Sequence, residues 1–416
     1  MRRLLEGSRA IAETVARCRP VVVPAYPITP QTHIVEALGV LIKDGTLPGS
    51  RFLPVDSEFA ALSAAIGASV TGARTYTATA SQGLLYMAEV LYNAAGLELP
   101  IVMTVANRAI GAPINIWNDH SDSMSQRDCG WLQLYAPSNQ AAVDLHVLAF
   151  ALAEELSLPA MVCVDGFVLT HAFEPLEVPD QAAVDDFLPA YRPRQLLDPD
   201  QPVTIGAMVG PDAFTEVRYL AHYQQLQAVE VFPRLAERFA QRFGRRPELL
   251  TRYGPSDPDT VVLTLGSSTG TVRSAVESDD PAGRRVGVLS LTMFRPFPAA
   301  ALRAALAGVR RVIVLERAFS PGAGGIVAAD VRQALAGTAT EVSTVVAGLG
   351  GRAITAETVT RVLAADAAGT LPEFSFADLD QPVIDRELAR LRELDGSEPE
   401  APPEAGSTDA PVLAGR

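Results

Sequence analysis

One carboxylate, Glu58, stands where acid–base chemistry could be organised. It follows a short apolar segment and the dipeptide Asp56–Ser57, and it opens the alanine-rich stretch EFAALSAAIGAS. Small apolar neighbours favour a carboxyl group that faces a dry cleft and hydrogen-bonds a heterocycle nitrogen. The alternative is helix electrostatics, since the helix dipole favours an acid in the first turn by about 0.3–1 kcal/mol.

Arg108 is the candidate for binding an anionic substrate. It comes soon after the predicted strand at residues 100–106, and ligands bind beyond the carboxyl ends of parallel strands. Its guanidinium group can hold a carboxylate through two parallel hydrogen bonds. The alternative is a surface ion pair, for which Asp119, Asp122 and Asp128 supply partners.

Thr29 lies in a proline-rich turn within residues 21–38, VVVPAYPITPQTHIVEAL. Each of Pro24, Pro27 and Pro30 fixes φ and lacks a backbone donor, so the Thr29 hydroxyl is aimed by a constrained backbone. The alternative is a structural connection in which the threonine caps the following helix.

The long connection also contains a polar cluster. Its members are Asn118, Asp119, His120 and Asp122. They are adjacent loop residues without a known ligand spacing, so a hydrogen-bonded turn is favoured over a metal site.

Two glycine-containing turns are weaker signals. Residues 81–83 follow a strand and start a helix, so they could cradle a phosphate or, as favoured here, cap the helix. Residues 322–325 open another helix but lack the six-residue dinucleotide fingerprint. Cys18, Cys129 and Cys163 are far apart and predict neither a disulfide framework nor a metal ligand set.

The candidate residues require an α/β scaffold, which the apolar pattern predicts. Predicted helices lie at residues 3–18, 31–43, 57–70, 82–95, 139–156 and 213–243. Predicted strands lie at residues 21–24, 51–55, 75–79, 100–106 and 160–164. This alternation favours parallel sheets with helices on both faces. Residues 107–137 and 171–215 are predicted to be long irregular segments.

The chain divides into five predicted regions. They are a first domain at 1–243, a linker at 244–259, a second α/β domain at 260–366, a C-terminal extension at 367–396, and a tail at 397–416. The tail is rich in Pro, Glu and Ala, and we expect it to be disordered or to lie along a partner.

Composition excludes some functions. The 416 residues are 48% hydrophobic, enough for sizeable cores, and the net charge of −14 argues against nucleic acid or an anionic membrane surface as a partner. No apolar run approaches a membrane span, and no signal peptide is evident. The chain is therefore expected to be cytoplasmic.

Several long segments carry a family resemblance. AYPITPQT, DSEFAALSAAIGAS, TATASQGL and NRAIGAPINIWNDHSDSMSQRDCGW occur in that order, and SPGAGGIVAADVR follows in the second domain. Over roughly residues 5–370 the chain resembles the alpha subunits of pyruvate:ferredoxin oxidoreductases, within the 2-oxoacid:ferredoxin oxidoreductase family.

The resemblance implies a fold and an activity. The fold is a thiamine-enzyme pyrimidine-binding domain followed by a transketolase C-terminal-like domain. The activity is oxidative decarboxylation of a 2-oxoacid with thiamine diphosphate, coenzyme A and [4Fe–4S] clusters, with electrons passed to ferredoxin. The NIWNDHSD stretch resembles the pyruvate-using branch.

The resemblance also implies residue roles. Glu58 would hydrogen-bond N1′ of the cofactor aminopyrimidine and drive its imino tautomer. Thr29 and Arg108 would bind the carboxylate and keto oxygen of pyruvate. Tyr26 and Pro27 would pack against the cofactor.

Two expected motifs are missing from the sequence. The chain has no Gly-Asp-Gly motif followed by an asparagine pair, which in thiamine enzymes anchors Mg²⁺ and the diphosphate, and it has no cluster-binding cysteine set. The resemblance therefore implies a beta subunit that carries the diphosphate half, Mg²⁺ and a cluster, and gamma and delta subunits or domains for the remaining pieces. Two alternatives remain: another 2-oxoacid substrate (2-oxobutyrate, 2-oxoglutarate or oxalate), or a non-catalytic assembly subunit.

Overall fold

The computed structural model describes residues 2–278, 285–395 and 413–414, which form two compact units. The first unit comprises Met1–Thr251, Leu265–Gly270 and Ser290–Leu302. The second comprises Arg252–Thr264, Thr271–Leu289 and Arg303–Arg416. The tail predicted at 397–416 lies outside the described residues except for residues 413–414.

The structure assigns the following strands and helices. The strands are β1 (Arg3–Glu6), β2 (Val22–Ala25), β3 (Arg51–Pro54), β4 (Tyr76–Thr79), β5 (Val102–Asn107), β6 (Leu132–Tyr135), β7 (Ala160–Asp165), β8 (Phe173–Leu176), β9 (Leu250–Tyr253), β10 (Thr260–Thr264), β11 (Val286–Leu291), β12 (Met293–Arg295), β13 (Arg311–Glu316), β14 (Phe319–Ser320), β15 (Gly324–Gly325), β16 (Glu341–Val346), β17 (Phe374–Leu379) and β18 (Leu413–Ala414). The α-helices are α1 (Gly7–Arg17), α2 (Thr32–Lys43), α3 (Glu58–Ser69), α4 (Ser81–Tyr86), α5 (Ala88–Gly96), α6 (Ser121–Ser125), α7 (Asn139–Leu156), α8 (Gln181–Phe187), α9 (Pro211–Phe243), α10 (Ser268–Ser278), α11 (Ala299–Ala305), α12 (Ile326–Ala334), α13 (Ala356–Ala367) and α14 (Gln381–Asp395).

The first unit is built on a five-stranded sheet of order β12-β6-β7-β5-β4. Strands β4 to β7 run parallel, and β12 is an antiparallel edge strand. Strand β2 pairs in parallel with β3 and meets β4 through a bridge between Val22 and Thr75. The carboxyl ends of β2 to β5 and β7 therefore lie along one edge, where ligands bind in such sheets.

The core of the first unit joins that sheet to four helices. Fully buried side chains come from α1 (Ile11, Val15), α2 (Ile34, Leu38), α7 (Phe150, Leu152) and α9 (Phe232, Phe239). Because the sheet and its flanking helices share this core, the loops at the strand ends sit on a rigid base.

The second unit contains a sheet of order β18-β17-β16-β13-β10-β11-β9. Its strands β10, β13, β16 and β17 pair in parallel with continuous register. The predicted α/β class with parallel sheets is therefore confirmed. No helix among the described residues is long and apolar enough to cross a membrane.

The helix predicted at residues 3–18 is wrong at its start. Residues 3–6 form β1, which pairs antiparallel with β8 in the register Leu4 to Pro175, and the helix begins only at Gly7. The helix predicted at residues 82–95 is divided at Met87 into α4 and α5. Apolar spacing alone does not reveal a pairing partner almost 170 residues away.

Segments predicted to be irregular contain short elements. Residues 107–137 include α6 and β6, and residues 171–215 include β8, α8 and the first turn of α9. The linker predicted at 244–259 contains β9. The predicted domain end near Asp366 falls before β17, which extends the sheet beside β16. These strands are short and depend on long-range pairing, which a local pattern does not show.

Candidate active site

The candidate site lies at the carboxyl edge of the first unit's sheet, and its first component is the turn after β2. Gln31 fixes this turn, because its Nε2 donates to the carbonyl oxygens of Tyr26 (2.9 Å) and Ala78 (3.1 Å). Tyr26 and Thr29 are exposed along the turn. The proline-rich segment is therefore held to the end of β4 and presents its side chains outward.

A close approach to Gly166 fixes the other side of this turn. A Cβ atom on Gly166 would lie 2.5 Å from Cγ of Pro30 and 2.5 Å from the carbonyl oxygen of Asn107. Only glycine leaves room for both neighbours. The glycine after β7 thus positions the turn that carries Thr29.

Glu58 is the buried acid of the site. Ser57 caps α3 by accepting a 3.1 Å hydrogen bond from the backbone of Ala60, which places Glu58 at the first helical position. Glu58 is only 7% exposed. Within the described part of the chain, its carboxylate receives no hydrogen bond. The helix-dipole interpretation describes its position but leaves this buried carboxylate without a partner.

Gly83 makes room for that carboxylate. A Cβ atom on Gly83 would lie 2.6 Å from Oε1 of Glu58 and 2.6 Å from Oγ1 of Thr79. The Thr79 hydroxyl is buried and has no hydrogen-bond partner among the described residues. Two polar groups without partners therefore meet beside the glycine of α4.

Asp122 connects the loops at this edge. Its carboxylate accepts hydrogen bonds from Nδ2 of Asn107 (2.8 Å) and from the backbone of Ser81 (2.9 Å), Arg108 (3.0 Å) and Ser123 (2.7 Å). Burial raises the pKa of Asp122 to about 6, although these hydrogen bonds oppose the shift. The sequence analysis considered this residue as an ion-pair partner of Arg108 and as a member of the polar cluster, whereas its hydrogen-bond partners come from three separate segments.

Arg108 is buried rather than part of a surface ion pair. Its Nη1 donates to the carbonyl oxygen of Thr29 (2.9 Å) and its Nε donates to that of Asn115 (3.1 Å). Arg108 is 7% exposed, and burial lowers its pKa while the Asp122 charge opposes that shift. The ion-pair alternative is wrong because carbonyl groups fix the guanidinium. The structure thus brings Arg108 and Thr29 into contact through the threonine backbone.

A second buried pair holds the polar cluster. Nε2 of His120 lies 2.6 Å from Oδ1 of Asp165, and both side chains are 1% exposed. The backbone of Ser267 donates to Oδ2 of Asp165 at 2.9 Å. Asp119 accepts a 3.0 Å hydrogen bond from the backbone of Ser121. The cluster is hydrogen-bonded, as the sequence analysis favoured, but its contacts reach beyond the turn. His120 pairs with Asp165 at the end of β7, and Asp122 binds the start of α4 and the end of β5.

The two glycine-containing turns have structural roles that the sequence did not indicate. Ser81 does not cap α4, because its hydroxyl donates to the carbonyl oxygen of Ala109. In the second unit, the carboxylate of Glu316 accepts hydrogen bonds from Ile326 (2.9 Å) and Val327 (2.8 Å) at the start of α12. The capping prediction for Ser81 is therefore wrong, and the helix start after residues 322–325 is already satisfied by an internal carboxylate.

The groups without partners fit an aminopyrimidine ring. Such a ring carries a ring nitrogen that pairs with a carboxyl group and an exocyclic amine that donates hydrogen bonds. The Glu58 carboxylate and the Thr79 hydroxyl are both buried and could serve as partners. A cofactor of this chemistry would satisfy groups that no described residue satisfies.

Comparison with known proteins assigns the family. The family model described as pyruvate flavodoxin/ferredoxin oxidoreductase, thiamine diphosphate-binding, matches residues 13–237, more than half of the chain. The chain belongs to the pyruvate:ferredoxin oxidoreductase family. The model for pyruvate:ferredoxin oxidoreductase core domain II matches residues 258–359. The family resemblance of the sequence is therefore confirmed.

Two curated relatives support membership of the pyruvate:ferredoxin oxidoreductase family. The pyruvate synthase subunit PorA of Methanosarcina barkeri is 41% identical over 391 residues, covering 92% of this chain and 97% of that protein. The ketoisovalerate oxidoreductase subunit VorA of Pyrococcus abyssi is 40% identical, covering 86% of this chain and 92% of that protein. Each match covers nearly the full length of the relative.

A solved structure supports the fold alone. The 2-oxoglutarate:ferredoxin oxidoreductase from Magnetococcus marinus, with 2-oxoglutarate, coenzyme A and succinyl-CoA bound, matches with a TM-score of 0.66 at 20% identity. The match covers 87% of this chain but 65% of that chain, so this chain spans about two thirds of the solved protein.

Proposed function

We propose that the chain is the alpha subunit of a pyruvate:ferredoxin oxidoreductase, also called pyruvate synthase. The complex converts pyruvate and coenzyme A to acetyl-CoA and CO₂, passes electrons to ferredoxin, and can run in reverse. The observation that carries the proposal is the buried Glu58 carboxylate, which packs on Gly83 beside the Thr79 hydroxyl, a group without a hydrogen-bond partner among the described residues. These residues lie in the region that the thiamine diphosphate-binding family model matches.

Glu58 is proposed to control one proton. Thiamine diphosphate, when bound, supplies the nucleophilic carbon that adds to the keto group of a 2-oxoacid. Glu58 would hydrogen-bond N1′ of its aminopyrimidine and hold or release the proton at that atom. Glu58 is only 7% exposed and its carboxyl group has no hydrogen-bond partner among the described residues, which leaves it able to pair with a ring nitrogen.

The turn after β2 is proposed to face both the cofactor and the substrate. Tyr26 and Pro27 are exposed there and would pack against the cofactor. Thr29 would donate a hydrogen bond from its hydroxyl group to the substrate. Arg108 would orient that threonine through its backbone carbonyl and bring positive charge to the substrate carboxylate.

Pyruvate is the proposed 2-oxoacid. The tip of the turn consists of Ile28, Thr29 and Pro30 and adds no charge for a second carboxylate. A small monocarboxylate therefore fits better than 2-oxoglutarate or oxalate. The VorA relative, named for ketoisovalerate, makes a branched 2-oxoacid the competitor that a substrate screen must include.

The remaining chemistry is proposed to belong to partner subunits. Cys18, Cys129 and Cys163 are free and buried, and burial raises the pKa of each thiol, that of Cys129 to about 12. Such thiols are poor sources of the thiolates that [4Fe–4S] clusters need. A beta subunit would carry the diphosphate half of the thiamine site, Mg²⁺ and a cluster, and gamma and delta subunits or domains would complete transfer to ferredoxin.

Purification of the chain from its native source tests this proposal. We expect co-purifying subunits, identified by mass spectrometry, bound thiamine diphosphate, and coenzyme A-dependent ferredoxin reduction with pyruvate. The screen should include 2-oxobutyrate, 2-oxoisovalerate, 2-oxoglutarate and oxalate. A complex that turns over another 2-oxoacid better than pyruvate would correct the substrate, and an inactive chain without thiamine diphosphate would contradict the enzymatic role.

A further inference from the structure

Three potential metal ligands meet outside the candidate active site. Glu6, His33 and His171 each offer one ligand atom, and these atoms lie within 4.8 Å of one another. Nδ1 of His33 already lies 2.7 Å from Oε1 of Glu6. We propose that these three residues bind a divalent first-row transition-metal ion, with Zn²⁺ as the best match.

The backbone places two of the ligands in fixed register. Glu6 ends β1 and lies opposite Phe173 of β8 in the antiparallel pair. The ladder continues past Glu6, since the backbone of Gly7 donates to the carbonyl oxygen of Ala172 at 3.0 Å. His171 precedes Ala172 directly. Glu6 and His171 are therefore held on facing segments rather than on free loops.

The third ligand lies on a helix whose start is also fixed. His33 is the second residue of α2, and Gln31 just before the helix is pinned by its two side-chain hydrogen bonds. The rings of His33 and His171 pack against each other at a tilt of 35°, with centroids 4.7 Å apart. The three ligands thus come from three elements that need little movement to bind an ion.

Two contacts fix the orientation of the His171 ring. Its Nδ1 lies 2.8 Å from Oγ1 of Thr170, and its ring packs on Phe167 with centroids 4.9 Å apart. This contact leaves Nε2 as the nitrogen for an ion. Engagement of the other ring nitrogen by a neighbouring polar group is common in metal-bound histidines.

The donor set matches Zn²⁺. Two imidazoles and one carboxylate form a frequent set of protein ligands for zinc, with bonds of about 2.0–2.2 Å. Ligand atoms around such a tetrahedral ion lie about 3.3 Å apart. The 2.7 Å gap between His33 and Glu6 would therefore widen slightly, and any separation near the 4.8 Å limit of the cluster would shorten. The His33 side chain is 48% exposed, which leaves space for water as a fourth ligand.

The metal-free alternative is a simple hydrogen bond between His33 and Glu6 beside a stacked His171. The two interpretations differ in consequence. A bound ion would join the end of β1 to the first turn of α2 and to the segment after β7, whose Gly166 packs against Pro30. It would therefore stabilise the first unit next to the turn that carries Thr29. This inference is independent of the proposed function.

Zinc titration of the full chain, with any subunits that co-purify, tests the proposal. After chelator treatment, isothermal titration calorimetry should show a Zn²⁺ site in the wild type that weakens by about tenfold or more in His33→Ala and in His171→Ala. His222→Ala, an exposed histidine on α9, is the matched control and should bind like the wild type. Equal binding by all four proteins, or no binding by the wild type, would overturn the proposal.

Thermal unfolding separates lost metal binding from a lost fold. Glu6→Gln keeps a hydrogen-bond acceptor for His33 but removes the anionic ligand. Zn²⁺ should raise the Tm of the wild type and of His222→Ala, and should leave the Tm of Glu6→Gln nearly unchanged. An equal rise in Tm for Glu6→Gln would show that the ion binds elsewhere and would contradict the site.

Discussion

Arg108 and Thr29 are joined by a 2.9 Å hydrogen bond from the guanidinium Nη1 to the threonine carbonyl oxygen. The same guanidinium holds the carbonyl oxygen of Asn115 at 3.1 Å. The proposed carboxylate-binding residue therefore also sets the conformation of the turn that presents the proposed hydroxyl donor. Substitution of Arg108 should therefore alter both the binding of the substrate carboxylate and the position of Thr29.

Arg108→Lys should raise the KM for pyruvate by roughly tenfold or more. Lysine keeps the positive charge but lacks the planar guanidinium group that lets arginine hydrogen-bond both carbonyl oxygens. A hydrogen bond that involves a charged group contributes about 1.5–3 kcal/mol. Steady-state kinetics with pyruvate checks the effect. Arg127→Lys is the control on the same loop, where the side chain holds the Met124 carbonyl oxygen and is partly exposed. An unchanged KM in Arg108→Lys would remove the proposed role.

Gly83→Ala should lower the rate of pyruvate turnover by about 10²-fold while the complex still assembles. The added methyl group would lie 2.6 Å from Oε1 of Glu58 and would push the carboxylate out of place. A misplacement of about 1 Å near reacting groups can lower the reaction rate by about 10²-fold.

Gly67→Ala is the matched control for that variant. It places a methyl group in α3, where nothing lies within 4 Å, and should be neutral or slightly stabilising. Equal activity of the two alanine variants would show that the close approach at Gly83 does not matter for turnover.

The sequence predicted the elements that position Glu58 and Arg108 because local patterns determine them. Apolar runs marked β5, and a serine followed by an alanine-rich segment marked α3. Strands β1 and β17 could not be predicted this way, because each becomes a strand by pairing with a segment outside its local pattern. Local spacing contains no information about that partner.

The hydrogen-bond network of the site could not be predicted from the sequence either. The partners of Asp122 come from the end of β5, from α4 and from α6. The partner of His120 is the aspartate that ends β7. One signal was available: an aspartate directly after a strand, as in Val164-Asp165-Gly166, lies at the ligand-binding edge of a parallel sheet.

Asp122 should give stability a defined pH dependence. Burial raises the pKa of Asp122 from 3.8 to about 6. Between about pH 4 and about pH 6, the folded protein therefore holds a proton on Asp122 that the unfolded chain releases. The contribution of Asp122 to the free energy of unfolding is therefore fully present below about pH 4 and is lost as pH rises through about 6. The Tm of the wild type minus that of Asp122→Asn should therefore fall as pH rises from about 4 to about 6.

Asp128→Asn is the control for that titration. Asp128 lies on the same loop, and its side chain is 70% exposed. An exposed acid contributes little to stability, so the Tm of this variant should stay close to that of the wild type throughout the series. A difference for Asp122→Asn that is flat or grows with pH would contradict the buried, raised-pKa carboxyl.

Glu316→Ala should destabilise the second unit by about 1–3 kcal/mol. The variant removes the carboxylate that accepts hydrogen bonds from the first residues of α12 and leaves buried backbone donors without partners. Thermal or denaturant unfolding checks the loss. Glu341→Ala, whose side chain is 72% exposed, should change stability by much less. Similar values for the two variants would show that the Glu316 contacts contribute little.

The most direct measurement is coenzyme A-dependent pyruvate oxidation by Glu58→Gln, assayed in a complex shown to contain all its subunits. Glutamine keeps the shape of the side chain but cannot hold or release the proton at N1′, so the rate should fall by roughly 10²–10⁴-fold. Glu36→Gln, at an exposed position on α2, should retain wild-type activity. Full activity in an assembled Glu58→Gln complex would contradict the central role proposed for this carboxylate.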